Sequence, residues 1–194
     1  MIDIHCHIYP GIDDGSGNIS DSIEMARLAA SSGTRGIVVT PHCNIPGANP
    51  NYWNAGLQAG LDNLQNELNN RMIPITLFSG QEIFMGSGII ELLNENKLVT
   101  INHSRYLLVE FSMQESSQAA YHKIRQITAS GYVPVIAHPE RYGFVMENSD
   151  SIYKIKDIGG LIQVNKGSLK GFFGSRAKKA AMEIISNYQS DYRA

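Results

Sequence analysis

Residues 132–142 read Tyr132-Val133-Pro134-Val135-Ile136-Ala137-His138-Pro139-Glu140-Arg141-Tyr142. An apolar run ends on a histidine, and charged residues follow at once. A strand that stays apolar without alternation is covered on both faces, which is how strands of parallel sheets read. The same kind of run recurs at Ile2 to Cys6, Gly36-Ile37-Val38-Val39-Thr40, Ile73 to Phe78, Tyr106-Leu107-Leu108-Val109-Glu110 and Gly160 to Val164. Helical stretches lie between these runs. Ser20 to Ser32 carries Ile23, Ala26, Leu28 and Ala30, with Gly33 as its stop. Asn51 to Asn70 places Leu57, Leu61, Leu64 and Leu68 on one stripe. Shorter helices are predicted around Ile89 to Asn94 and Asp150 to Lys156. Longer ones cover Ser116 to Ser130, stopped by Gly131, and Arg176 to Asn187. Strand and helix in alternation mean an α/β fold with right-handed crossovers. Six such units fit an incomplete barrel or an open sheet. Residues 1–194 show no linker, internal repeat or low-complexity tract, so a single domain is expected.

Bulk composition narrows the class of function. Of 194 residues, 43% are hydrophobic and 18% charged, and the net charge is −2. This is a globular balance with no basic surface for nucleic acid. Met1-Ile2-Asp3-Ile4-His5 has neither the basic nor the long apolar segment of a signal peptide. No apolar run spans a bilayer. Two cysteines, Cys6 and Cys43, make no disulfide framework, so a cytoplasmic location is expected.

The metal-capable side chains fall at one kind of place. His5 and His7 flank Cys6 near the end of the first strand, and a period of two turns both imidazoles to one face. His42 follows the second strand, Glu82 the third, Glu110 ends the fourth, and His138 and Asn165 end the fifth and sixth. Active sites of α/β folds form at the carboxyl ends of parallel strands. Histidines and carboxylates gathered there want cations, and a mixed nitrogen and oxygen set suits manganese, iron or zinc better than calcium. The donors exceed what one ion needs, so two or more ions are expected. Singly, each of these motifs is more often structural; their joint placement carries the reading. His103 and His122 lie off the pattern and read as surface or structural residues.

Other catalysts are excluded. A cysteine-based phosphatase needs an Arg six residues after its Cys, and those positions hold Ile12 and Asn49. There is no G-x-S-x-G elbow and no Walker loop. The glycine-rich stretch Gly11 to Gly17 contains Asp13 and Asp14, which points to metal or acid–base work rather than a phosphate cradle.

Met1-Ile2-Asp3-Ile4-His5-Cys6-His7-Ile8 with Pro10-Gly11-Ile12-Asp13-Asp14-Gly15 resembles the opening of the capsule-operon (CpsB-like) tyrosine phosphatases of the polymerase-and-histidinol-phosphatase (PHP) superfamily. Thr40-Pro41-His42, Gly80-Gln81-Glu82-Ile83, Leu108-Val109-Glu110-Phe111-Ser112, Ile136-Ala137-His138-Pro139-Glu140-Arg141-Tyr142 and Gln163-Val164-Asn165 continue the resemblance. It implies a distorted (β/α)7-type PHP barrel with a trinuclear site, usually manganese. It implies His5, His7, His42, Glu82, Glu110 and His138 as metal ligands. Asp14 is implied as an active-site acid or water-orienting group, and Arg141 as a phosphate clamp. The activity implied is hydrolysis of phosphotyrosine on a bacterial tyrosine kinase that controls capsule or exopolysaccharide synthesis. Alternatives are a small-molecule phosphoesterase of the histidinol-phosphate type and a non-catalytic kinase-binding protein.

The family pattern continues beyond the Ala- and Lys-rich helix with a further strand and a Ser-Asp-Ala-His segment. Here Tyr188 to Ala194 offers Asp191-Tyr192-Arg193 and no histidine. The expectation is a barrel incomplete at its C-terminus, lacking two ligands and one phosphate-binding Arg, with reduced activity or none.

Overall fold

The structure, a computed structural model, describes residues 1–191, and side chains as far as Asn187. What the sequence reading placed on Tyr192 to Ala194 lies outside the described residues. The chain divides into two compact units, Met1–Leu108 and Val109–Ala194.

The first unit contains β1 (Ile2–Cys6), α1 (Ile19–Ser31), β2 (Gly36–Val39), β3 (His42–Cys43), α2 (Ala55–Asn70), β4 (Thr76–Ser79), β5 (Glu82–Phe84) and α3 (Ile89–Asn94). A three-stranded sheet runs β1-β2-β4, with both pairings parallel. Outside that sheet β3 and β5 are neighbours paired in parallel, His42 opposite Glu82 and Cys43 opposite Ile83. Parallel strands joined by helices are the α/β arrangement expected.

The two long helices of this unit, α1 and α2, begin where a side chain can take up their loose amide groups. Asn18 accepts from the amides of Ser20 and Asp21 to open α1, and Asn54 accepts from Gly56 and Leu57 to open α2. That cap explains why α2 begins at Ala55 and not at Asn51. One face of α1 (Ile23, Ala26) and one of α2 (Leu61, Leu64, Leu68) pack with Ile37, Val39, Ile73, Ile75, Ile8 and Tyr9 in a single cluster. Each aliphatic side chain fully buried there contributes about 1.5–3 kcal/mol. The third strand starts later than its apolar run. Ile73 and Ile75 are buried, but the chain turns at Pro74, with the Ile75 amide on the Ile73 carbonyl at 2.8 Å, before β4 forms.

β6 (Tyr106–Glu110) carries the boundary between the units. The second unit holds α4 (Ser117–Ala129), β7 (Val133–Ala137), α5 (Gly143–Glu147), α6 (Ser151–Asp157), β8 (Leu161–Gln163), α7 (Lys166–Lys170) and α8 (Ser175–Asp191). β7 and β8 pair in parallel, Val135 opposite Leu161. α8 extends past Asn187, where the sequence reading ended it.

Candidate metal centre

The end of β1 is irregular. Its register with β2 shifts between Asp3 and Cys6, and the Cys6 amide donates to the Thr40 hydroxyl at 2.9 Å. The chain then leaves the strand at His7, yet His5 and His7 still face each other, Nε2 to Nε2 at 3.2 Å. The β3–β5 pairing brings His42 opposite Glu82. Glu82 is 1% exposed, and three imidazoles surround its Oε2: His5 Nε2 at 3.2 Å, His7 Nε2 at 3.1 Å and His42 Nδ1 at 3.2 Å. A buried carboxylate ringed by imidazoles is a poor packing solution and a good cation site. Ligand atoms of His7, His42 and Glu82 all lie within 4.8 Å of one another, close enough to share one ion. The donor set therefore fits a divalent metal with mixed nitrogen and oxygen coordination.

The Gly11–Gly17 loop folds over this rim. Asp13 Oδ2 accepts from His7 Nδ1 at 2.7 Å and from the His42 amide at 2.9 Å, while its Oδ1 accepts from the Gly15 amide at 3.0 Å. Asp14 is 79% exposed, with Oδ1 3.8 Å from His7 Nδ1 and 3.5 Å from His42 Nε2. Burial disfavours the His7 imidazolium, but hydrogen bonds to Asp13 and Glu82 and their charges outweigh it, raising its pKa from 6.5 to about 10. Burial likewise opposes the Asp13 charge, and the His7 ring with the His42 and Gly15 amides holds that carboxyl below its ordinary pKa. Burial, then the charges of Asp3 and Asp13, pushes the Cys6 thiol up to about 12, and burial does the same for Cys43. Neither sulfur is a nucleophile at neutral pH.

The second unit holds the remaining residues singled out from the sequence. Glu110 ends β6 and His138 follows β7, both buried, with His138 Nε2 3.9 Å from Glu110 Oε2. His138 sits in the left-handed region, φ 36°, and its amide donates to Gln163 Oε1 at 3.2 Å. The buried Tyr142 hydroxyl accepts from the Phe111 amide at 3.1 Å and donates to the Ala137 carbonyl at 2.9 Å. It thereby ties together the neighbours of Glu110 and His138. Glu140 is fully buried, and its Oε1 accepts the Asn165 amide at 2.9 Å. Asn165 itself caps α7 through the Gly167 amide, a structural use of a residue that the sequence placed at the site's edge. Arg141 lays its guanidinium over the Phe173 ring, 4.3 Å from the centroid.

Sequence reasoning thus named His5, His7, His42 and Glu82, which the first unit gathers, and Glu110 and His138, which meet in the second. It read Asp13 only together with Asp14, as a sign of metal or acid–base work, and did not foresee its three hydrogen bonds to His7, His42 and Gly15. The signal available was the Asp13-Asp14 pair, but a sequence does not say which of two adjacent carboxylates turns inward. His103 and His122 are exposed, as expected.

Residues 1–192 match the family described as capsular polysaccharide synthesis, CpsB/CapC. The chain is 38% identical over 187 residues to tyrosine-protein phosphatase YwqE of Bacillus subtilis, covering 95% of this chain and 72% of that protein. It is 31% identical over 182 residues to tyrosine-protein phosphatase CpsB of Streptococcus pneumoniae, covering 92% and 73%. Among solved structures, it superposes with a TM-score of 0.88 on one described with YwqE and CpsB as unique metal-dependent tyrosine phosphatases. That match has 38% identity and covers 96% of this chain and 74% of the other. The α/β fold is shared with that structure.

Proposed function

This chain belongs to the CpsB/CapC family of capsular polysaccharide synthesis, and from that premise we propose that it is a metal-dependent protein-tyrosine phosphatase. The observation that carries the reading is the ring of His5, His7 and His42 around the buried Glu82 carboxylate. In this reading those four residues, with Glu110 and His138, hold divalent ions, manganese first among them and up to three in number. Such ions supply Lewis acidity, lowering the pKa of water and neutralising charge on phosphoryl oxygens.

The protein's own groups do the rest. Arg141 offers a planar fork of donors that matches two phosphoryl oxygens, and Phe173 supports the guanidinium from one side. Asp14 is exposed beside His42, so it can approach a bound ester. It gives a proton to the departing phenol oxygen or orients the attacking water. A phenolate, with a pKa of about 10, leaves with modest assistance. Asp13, accepting from the His7 ring, keeps that imidazole from rotating away.

The substrate in this reading is a phosphotyrosine of a bacterial tyrosine kinase that governs polysaccharide synthesis, which implies work in the cytoplasm. No helix among the described residues is long and apolar enough to cross a membrane.

The test is turnover by the purified chain, with and without manganese, on a phosphotyrosyl peptide and on histidinol phosphate. Manganese-dependent hydrolysis of the peptide, lost in His42→Ala, supports the proposal. Preference for histidinol phosphate moves the protein to small-molecule phosphoester chemistry. Kinase binding without turnover under saturating manganese makes it a non-catalytic binder.

A further inference from the structure

Asp13 and Asp14 are adjacent carboxylates with opposite surroundings. The Asp14 side chain is 79% exposed, and that of Asp13 is 4% exposed. Asp13 spends its oxygens on three donors from three places: the His7 ring, the His42 amide and the Gly15 amide. Reaching a substrate would mean abandoning all of them. Two of these partners belong to segments that carry ligand imidazoles. By accepting from His7 Nδ1, Asp13 leaves Nε2 as the nitrogen turned toward Glu82, 3.1 Å from its Oε2. By accepting the His42 amide, the same oxygen ties the start of β3 to the His7 ring. A carboxylate behind a ligand imidazole fixes its tautomer and orientation and raises its basicity.

We propose that Asp13 is the positioning residue of the metal centre, its carboxylate locking the His7 ring and the His42 main chain into one ligand geometry. This rests on His7 and His42 being metal ligands, as read above. Asp13 touches neither ester nor reacting atom; it acts through the two histidines.

The experiment measures manganese binding by calorimetry for the purified wild-type chain, Asp13→Asn, Asp13→Glu and His7→Ala. Far-ultraviolet circular dichroism of the metal-free proteins serves as the control for folding. Asparagine keeps the shape of Asp13 but replaces one acceptor oxygen by a donor; glutamate keeps the charge and displaces it by one methylene. Asp13→Asn is expected to weaken manganese about 10- to 100-fold with the number of ions at saturation unchanged, and Asp13→Glu less. A second readout follows the ring itself. In the zinc-loaded chain with ¹⁵N-labelled histidine, wild-type His7 carries its proton on Nδ1, and Asp13→Asn exposes that proton to fast exchange with water. Unchanged affinity and an unchanged Nδ1 proton in Asp13→Asn overturn the proposal. So does a drop in the number of bound ions, which makes Asp13 a ligand. Wild-type protein that binds no manganese, or His7→Ala that binds as wild type, overturns the ligand reading beneath it instead.

Discussion

His7 and Gly15 pack backbone against backbone. A β-carbon placed on Gly15 would overlap the His7 carbonyl oxygen and the His7 Cβ. The Ser16 amide donates to that same carbonyl at 3.0 Å, so the contact is fixed from both sides. Neither partner is the tip of a flexible side chain, so nothing can move aside cheaply. Gly15→Ala is therefore expected to push the loop off His7 and lower kcat/KM for a phosphotyrosyl peptide by about 100-fold, a 1 Å displacement being costly to positioned groups. The helices elsewhere do not depend on this contact, so circular dichroism stays as in wild type.

Glu82 is the common neighbour of three imidazoles. Glu82→Gln removes the charge that makes the cluster a cation site, and turnover is expected to fall on the order of 10³-fold. Metal binding should also appear as stability. Manganese at 100 times its dissociation constant raises the melting temperature of the wild-type chain by about 5–10 °C. The shift should vanish in Glu82→Gln. A full shift in that variant contradicts the assignment.

Proton uptake at His7 gives a pH dependence. Its pKa in the metal-free fold is raised from 6.5 to about 10. The stability it contributes to that form is fully present below the unfolded value, near 6.5, and is lost as pH climbs through about 10. An ion that takes His7 as a ligand must displace that proton. Calorimetric titration at pH 7.5 in buffers of different ionisation enthalpy should show proton release on manganese binding, and affinity should rise from pH 7 to 9. No release, or affinity falling over that range, contradicts the sign.

Phe173 supports Arg141 by stacking at 4.3 Å. The ring is 43% exposed, so the contact is of the partly solvated kind worth about 0.5–1 kcal/mol. Phe173→Ala is expected to raise KM for phosphotyrosyl peptide about two- to fivefold and leave kcat near wild type. Arg141→Ala should lower kcat as well, because a phosphate clamp acts in the transition state.

Tyr142→Phe removes one hydroxyl and strands two groups, the Phe111 amide and the Ala137 carbonyl. The ring, against Phe111 at 5.7 Å and His138 at 5.8 Å, is kept. Urea unfolding should show a loss of about 1–3 kcal/mol. A loss below 0.5 kcal/mol, on the order of a surface change, would mean the hydroxyl is not holding these strand ends.

What could be read from residues alone follows from physics. β6 and β7 were legible because strands covered on both faces need an unbroken apolar run, and Tyr106–Glu110 and Val133–Ala137 have one. β3 and β5, two and three residues long, carry no period; they exist because His42 and Glu82 find each other in register. α5 and α7, five residues each, are equally silent. His5, His7, His42 and His138 were legible because each lies at or just after the end of an apolar run that reads as a strand. Asp13 was not, because its three hydrogen bonds arise only when the loop folds back over His7.

Asn51 holds the rim from the far side. Its side-chain amide donates to the His42 carbonyl at 3.0 Å and to the Ile12 carbonyl at 3.4 Å, and its own carbonyl accepts from Gln81 at 2.7 Å. Just before it, the Asn44 amide meets the Pro50 carbonyl at 2.9 Å and closes a loop whose tip, residues 46–50, is exposed. Main-chain groups are the same for every amino acid, so the Asn44–Pro50 closure by itself reads no side chain. The exposed tip can therefore change at Pro46 and Ala48, though not freely at Gly47, which sits at φ 79°, while His42 stays where it is. Change at the tip and constancy at His42 are separated here by one asparagine.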